Sequence, residues 1–206
     1  MSRFKSPSIM KHTISVIVGL GNPEECHRQT LHNSGFWFVD EIAQQYEGIF
    51  KYEKRFNADV CKINISNYEL RLVKPQTYMN ASGYSVQSIL NYYKLSPEQL
   101  LVAHDEIDLS PDKIRFKIGG GDGGHNGLRD IIKLCGPDFI RLRIGVGHPG
   151  NKDEVTKYVL RKAPSDIKAE IRKNIDRAVS IIPVLIDKDL SYAMKALHTG
   201  EIINDK

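Results

Sequence analysis

A short apolar run near the start of the chain constrains the fold more than any other sequence feature. Residues 13–20 read TISVIVGL, are rich in β-branched side chains, and are followed at once by Gly21, Asn22 and Pro23. A compact run of this kind predicts a strand buried on both faces. Because such a strand must be covered on both sides, the run predicts a sheet with a layer of helices on each face.

Helical and strand-like segments alternate along the rest of the chain. Apolar residues recur with the helical period at residues 34–46 and 81–94. Two strand-like runs, at residues 58–65 and 69–74, are separated by a short polar turn, which predicts a hairpin. Further strands are predicted at residues 100–103, 113–118 and 141–146, and further helices at residues 128–134, 153–161, 166–187 and 190–198. The alternation predicts an α/β fold with three layers, in which helices flank a mostly parallel, mixed, twisted sheet.

Length and composition indicate one globular domain without a membrane span. The 206 residues are 41% apolar and 26% charged, which is ordinary for a globular chain. We expect residues 13–200 to form the single domain and residues 1–12, which lack the apolar stretch of a secretory signal, to be a flexible N-terminal tail. Three widely spaced cysteines form no C-x-x-C pair. This pattern favours a reducing cytoplasm over a disulfide framework or a zinc site.

The positive charge of the chain is concentrated in one stretch. The net charge is only +4, but residues 113–177 carry 15 Lys and Arg against 8 Asp and Glu. Residues 1–112 carry 11 against 13. A concentrated basic stretch suits a polyanionic partner such as nucleic acid, although a solvated lysine-rich surface would look the same.

Polar loops follow four of the predicted strands, at residues 21–33, 74–80, 104–108 and 119–126. In open α/β sheets, ligands bind at the carboxyl ends of the strands. The loops supply histidines, a carboxylate and several carboxamides, namely His32, His104, His125, Asp105, Asn22, Asn33, Asn80 and Asn126. A base, an orienting group and neutral hydrogen-bond donors are what acyl transfer to water requires. Each residue alone has an ordinary alternative, such as a helix cap for Asn80 or a turn for Asn22 and Asp105.

Several other chemistries lack their motifs. The sequence around Gly19 and Gly21 departs from the dinucleotide fingerprint at Glu24, and the glycine-rich loop has no Gly-Lys-Ser/Thr. No serine stands in G-x-S-x-G, and Cys26 has a histidine only as its chain neighbour. No histidines show the H-E-x-x-H spacing. We therefore predict water as the nucleophile, with no metal and no cofactor.

Six ordered motifs resemble those of the bacterial-type peptidyl-tRNA hydrolase family. They are VGLGNP at 18–23, TLHNSG at 30–35, KPQTYMNASG at 74–83, HDEIDL at 104–109, GGGDGGHNGLRD at 119–130 and RLRIGVGHPG at 141–150. The resemblance runs from about residue 14 to about residue 198. It implies a single α/β domain that releases tRNA and peptide from peptidyl-tRNA without a metal or cofactor. It further implies contact with both the acceptor stem and the peptide, and a monomer with no obligate protein partner and no membrane attachment.

The resemblance also implies roles for individual residues. His32 would be the general base, Asp105 its orienting partner, and Asn22 a third catalytic group that positions the ester. Substrate contacts would come from His27, Tyr78, Met79, Asn80, Gly123, His125 and Asn126. Contacts with tRNA phosphates would come from Lys117, Arg143 and Lys152, which lie inside the basic stretch.

The loop that holds His32 departs from the family pattern at three positions. Glu24, His27 and Leu31 stand where the family usually has glycine, tyrosine and arginine. His27 would then either take the wall position of the tyrosine or face water. Two alternatives from other classes remain: a non-catalytic RNA-binding protein on the same fold, and a nicotinamide-dependent oxidoreductase. The four residues His32, Asp105, Asn22 and Asn80 disfavour the former, and the broken fingerprint disfavours the latter.

Overall fold

The computed structural model describes residues 14–199, which form one sheet between two layers of helices. The strands are β1 (Val16–Gly19), β2 (Lys51–Glu53), β3 (Ala58–Ile65), β4 (Tyr68–Pro75), β5 (Leu100–Glu106), β6 (Ile114–Ile118) and β7 (Ile140–Gly145). The α-helices are α1 (Ser34–Gln45), α2 (Ser82–Tyr93), α3 (Asn126–Cys135), α4 (Val155–Val159), α5 (Ser165–Asp187) and α6 (Leu190–Thr199). The predicted tail, residues 1–12, lies outside the described residues.

The seven strands lie in the order β2-β3-β4-β1-β5-β7-β6. The central strands β4, β1, β5 and β7 are parallel to one another, whereas β3 and β6 run antiparallel to their neighbours. The predicted hairpin is present, with eight residue pairs joining β3 and β4. The fold class predicted from the sequence is therefore confirmed as a mixed sheet flanked by helices.

Each face of the sheet packs against its own group of helices. Because successive strand residues point to opposite faces, Ile17 and Leu101 lie in the core with α1, α5 and α6, whereas Val18 and Val102 lie in the core with α2 and α3. All four side chains are fully buried, and each such burial contributes roughly 1.5–3 kcal/mol of transfer free energy. Of the helices within residues 14–199, none is both long enough and apolar enough to cross a bilayer.

Two strands differ from the prediction. The short edge strand β2 was not predicted, because its three residues are largely exposed and show no buried alternation. The predicted strand at residues 100–103 continues through His104 and Asp105 to Glu106, so these polar residues belong to β5 and not to the loop after it. Pairing with β7 as far as Glu106 and Gly145 holds this extension in the sheet. Apolar periodicity ends at Ala103, whereas the backbone hydrogen bonds continue.

A close approach between α1 and the sheet sets the position of His32. A Cβ atom on Gly35, in the first turn of α1, would lie 2.4 Å from the carbonyl oxygen of Ala103 and 2.5 Å from the amide nitrogen of Leu20. Only glycine allows the start of α1 to lie this close to β1 and β5. The 3-10 turn Leu31–Asn33, which precedes α1, therefore lies over the end of β5.

Candidate active site

A cleft of about 600 Å³ opens at the carboxyl ends of the parallel strands. Its walls come from the segments after β1, β4 and β5, from the glycine-rich loop before α3, and from α4. Ten of the thirteen predicted site residues line it: Asn22, His32, Tyr78, Met79, Asn80, Asp105, Gly123, His125, Asn126 and Lys152. The remaining three, His27, Lys117 and Arg143, lie outside it.

His32 and Asp105 are in direct contact, although 73 positions separate them in the chain. The distance from His32 Nδ1 to Asp105 Oδ1 is 2.8 Å, and the two residues are 8% and 4% exposed. Burial alone would lower the pKa of His32, but the charge of Asp105 and its hydrogen bond outweigh burial and raise that pKa above its usual value. Burial alone would raise the pKa of Asp105, but His32 and His125 outweigh it and lower that pKa. Asp105 is therefore a carboxylate.

Two further histidines lie against Asp105. His125 Nε2 is 3.0 Å from the same oxygen, Asp105 Oδ1, and its ring centroid is 4.9 Å from that of His32. His104 is fully buried, and its Nδ1 donates to the backbone carbonyl of Asp105 at 2.7 Å. Burial, together with the neighbouring His125, lowers the pKa of His104 to about 3, so this imidazole is neutral at ordinary pH.

The amide group of Asn22 has a defined orientation. Its side-chain oxygen accepts a hydrogen bond from the backbone N–H of Met79 at 3.0 Å, and the residue lines the cleft. Because a backbone N–H can only donate, the oxygen must face Met79, and the NH₂ group is the part of Asn22 left for a ligand. Asn33 holds Asn22 in place, since it bonds to both the backbone N–H and the carbonyl of Asn22 at 2.9 Å.

Asn80 and Asn126 are exposed on the cleft wall. The residue that caps α2 is Ala81, so the alternative role of Asn80 as a helix cap does not apply. The side-chain oxygen of Asn126 accepts from Arg129 at 2.9 Å, which leaves its NH₂ group as a donor. Tyr78 is 68% exposed, whereas Met79 is almost fully buried.

One wall of the cleft was not foreseen from the sequence. Val155, Val159 and Leu160, from α4 and the residue after it, add apolar side chains to the lining of the cleft. In the sequence, a helical spacing of apolar residues cannot be distinguished from ordinary core packing. The buried Arg141 was also missed. Its guanidinium donates to the carbonyls of Gly120 and Gly121, and so holds the glycine-rich loop against the sheet.

The basic residues of β6 and β7 share one face of the sheet. Arg115 is paired across the strands with Arg143, and Lys117 with Arg141. Like charges directly opposite each other are destabilising unless something compensates them. Arg143 bonds to Glu106 at 2.8 Å, and the exposed Lys117 has its ammonium group beside the Cα of Gly120. Lys152, by contrast, lies at the cleft itself.

His27 is not among the residues that line the cleft. It ends a short 3-10 turn, Glu25–His27, and its Nε2 is 3.9 Å from the carboxylate of Glu24. The structure therefore does not bring His27 together with the other predicted substrate contacts. Glu24 and His27, two of the three departures from the family pattern, face each other.

Within residues 14–199, one group of side chains has the spacing to hold a metal ion, namely His32, Asp105 and His125. Their possible ligating atoms lie within 4.8 Å of one another. His32 Nδ1 and His125 Nε2 are each hydrogen-bonded to Asp105 Oδ1, so the three side chains form one hydrogen-bonded network. The absence of a metal remains a prediction.

Comparison with known proteins identifies the family of the chain. A family model described as peptidyl-tRNA hydrolase matches residues 16–205. The peptidyl-tRNA hydrolase of Acinetobacter baumannii (strain AYE) is 47% identical over 185 residues, which are 90% of this chain and 96% of that protein. The peptidyl-tRNA hydrolase of Halorhodospira halophila is 48% identical over 184 residues, covering 89% and 95%. A crystal structure of peptidyl-tRNA hydrolase from Acinetobacter baumannii has a TM-score of 0.88 at 47% identity, covering 92% of this chain and 96% of that one. The chain therefore belongs to the peptidyl-tRNA hydrolase family.

Proposed function

We propose that this chain hydrolyses the ester of peptidyl-tRNA, releasing free tRNA and peptide, and so recycles tRNA from peptidyl-tRNA dropped by the ribosome. One observation carries the proposal: the 2.8 Å contact between His32 and Asp105 lies in a cleft beside the oriented amide of Asn22. The family membership supports the same substrate.

His32 acts as the general base in this reaction. Because Asp105 accepts a hydrogen bond from His32 Nδ1, the proton of the neutral imidazole is on Nδ1 and the lone pair is on Nε2. Water attacks the ester carbonyl and passes a proton to Nε2. The ribose oxygen of the terminal adenosine then leaves and takes that proton. General-base catalysis contributes roughly 10²–10⁴-fold.

Asn22 stabilises the negative charge that develops on the carbonyl oxygen. Its NH₂ group is held in place before the substrate binds, because its oxygen is bonded to Met79. A preorganised donor of this kind contributes about 3 kcal/mol. The residues that line the cleft include no serine or cysteine, which supports water as the direct nucleophile.

Preference for a blocked amino group follows from the donors on the cleft wall. The NH₂ group of Asn126, whose side-chain oxygen is bonded to Arg129, suits the oxygen of a peptide bond, and Asn80 adds a second amide to the cleft wall. A free ammonium in the same place would face the NH₂ group of Asn126, which is oriented as a donor and cannot accept a hydrogen bond from it. The chain should therefore act on N-blocked aminoacyl-tRNA much faster than on unblocked aminoacyl-tRNA.

Incubation with N-acetylated aminoacyl-tRNA tests the function directly. We expect release of free tRNA and of the N-acetylated amino acid, with little release from the unblocked control. Binding of the blocked tRNA without any release would contradict the proposal and favour the non-catalytic RNA-binding alternative.

The basic face of β6 and β7 is proposed to bind the phosphates of the acceptor stem. Lys117→Ala should weaken tRNA binding and reduce the slope of log Kd against log salt concentration by about one, because one phosphate contact is lost. Binding titrations at several salt concentrations measure this slope. Lys62→Ala is the matched control, since Lys62 is an exposed lysine on β3, five strands away in the sheet. An unchanged slope in Lys117→Ala would exclude Lys117 from the interface.

The chain is proposed to act as a monomer in the cytoplasm. All the groups that the mechanism uses come from a single chain, so no second copy is needed to complete the cleft. A mass near 23.3 kDa by light scattering is the expected result.

A further inference from the structure

We propose that His125 is a positioning residue, which holds Asp105 by a neutral imidazole whose single proton is on Nε2. The resemblance implied a substrate contact for His125, but its two ring nitrogens are both engaged with the protein. The inference rests on the proposed function, in which Asp105 orients His32. It concerns how the chain builds its general base.

The first step of the argument is the role of His125 Nδ1. This nitrogen accepts hydrogen bonds from the backbone N–H groups of Gly127 and Leu128, at 3.1 and 3.4 Å. His125 is thereby the N-cap of α3, a helix of ten residues. Backbone N–H groups can only donate, so Nδ1 must carry a lone pair and no proton.

The second step is the role of His125 Nε2. A neutral imidazole has one N–H, and since Nδ1 has none, the proton is on Nε2. That N–H donates to Asp105 Oδ1 at 3.0 Å. A second proton would have to go on Nδ1, which would remove the cap and place a positive charge at the N-terminus of a helix. The hydrogen bonds therefore specify the tautomer of His125 that has its proton on Nε2.

The third step connects His125 to the general base. Asp105 Oδ1 accepts from both His125 Nε2 and His32 Nδ1, at 3.0 and 2.8 Å. Two donors on one oxygen restrict the carboxylate more than a single donor would, so the helix cap, the carboxylate and the base form one rigid chain of bonds. The donor from His125 also stabilises the charge of Asp105, and Asp105 is consequently a weaker partner for a protonated His32.

Few other groups could account for a change in the titration of His32. Asp105 on β5 and His125 at the cap of α3 face its ring. His104, on the other side of His125 with ring centroids 5.2 Å apart, has a pKa of about 3 and stays neutral. Removing His125 should therefore raise the pKa of His32, since Asp105 then has one donor fewer.

Two variants of His125 distinguish positioning from substrate contact. His125→Asn keeps an oxygen that can cap α3 but is too short to donate to Asp105, whereas His125→Ala loses both contacts. We expect both to lower kcat by about tenfold or more and to shift the acidic limb of the pH profile upward by about half a unit or more. Only His125→Ala should lower Tm markedly.

Asn126→Ala is the comparison variant, because it removes a proposed substrate contact one residue away. It should raise KM and leave the acidic limb in place. An unshifted limb in a folded His125→Asn variant, with the loss confined to KM, would overturn the inference.

Nitrogen-15 NMR of the imidazoles tests the tautomer without any substrate. In the free wild-type protein, the neutral His125 ring should have the shift of an unprotonated nitrogen at Nδ1 and that of a protonated nitrogen at Nε2. The signals are assigned by their loss in His125→Asn. A proton on Nδ1 of the neutral ring would overturn the inference. This measurement decides the tautomer even if hydrolysis fails, so the two proposals can fail separately.

Discussion

His32→Ala is expected to lower kcat by roughly 10²–10⁴-fold and to leave tRNA affinity nearly unchanged. The variant removes the only imidazole that we propose as a base, whereas the basic face of β6 and β7 lies outside the cleft. Single-turnover hydrolysis of N-acetylated aminoacyl-tRNA measures the chemical step, and fluorescence anisotropy with uncharged tRNA measures binding. We expect the rate of hydrolysis to fall and the affinity for tRNA to stay the same.

His148→Ala is the matched control for this substitution. His148 is an exposed histidine in the loop after β7, and it is not among the residues that line the cleft. It should keep near-wild-type turnover, while a melting curve establishes that His32→Ala is folded. Weak binding by His32→Ala with an undiminished rate at saturating substrate would show that His32 holds tRNA and is not the base.

Asp105→Asn is expected to have a similarly large effect, with kcat lower by on the order of 10³-fold or more. An asparagine can keep its oxygen towards His32 Nδ1 and His125 Nε2, but it lacks the negative charge that stabilises the imidazolium formed when His32 takes the proton from water. The control is Asp108→Asn, an exposed aspartate two residues beyond the end of β5, which should be close to wild type. Retention of more than about a tenth of the activity by Asp105→Asn would contradict the orienting role.

The pH profile gives Asp105→Asn a second signature. In the wild type, the neutral form of His32 is the base, so activity is present above its raised pKa and is lost as the pH falls through that value, which lies above 6.5. Asp105→Asn removes the charge that raises this pKa. The acidic limb of its residual activity should therefore move to lower pH, opposite in direction to the shift expected for the His125 variants.

Local patterns in the sequence were sufficient for most of the secondary structure. The run at residues 13–20 predicted β1 and, with the alternation that follows, the three-layer sheet. The helix predicted at residues 34–46 agrees with α1 to within one residue, and the hairpin strands agree with β3 and β4. Periodicity succeeds here because a half-buried helix or strand must repeat its apolar residues with the period of its own backbone.

Side-chain contacts between residues far apart in the chain could not be predicted from local sequence patterns. The sequence placed His125 among the site residues, but no local pattern predicted that it caps α3 and bonds to Asp105. His27, which the resemblance placed among the substrate contacts, does not line the cleft. Arg141 looks like the other basic residues of its stretch, yet it is buried and holds the glycine-rich loop.

The sequence by itself determined the layers of this protein, the strands that carry its polar loops, and the set of residue types gathered at the end of the sheet. Only the tertiary structure decided that β5 continues through His104 and Asp105, and that one oxygen of Asp105 serves two histidines from different segments. The physical reason is that backbone preference and apolar burial act over a few neighbouring residues. A hydrogen bond between side chains 73 positions apart forms only when the packing of α1, β5 and α3 brings donor and acceptor within about 3 Å.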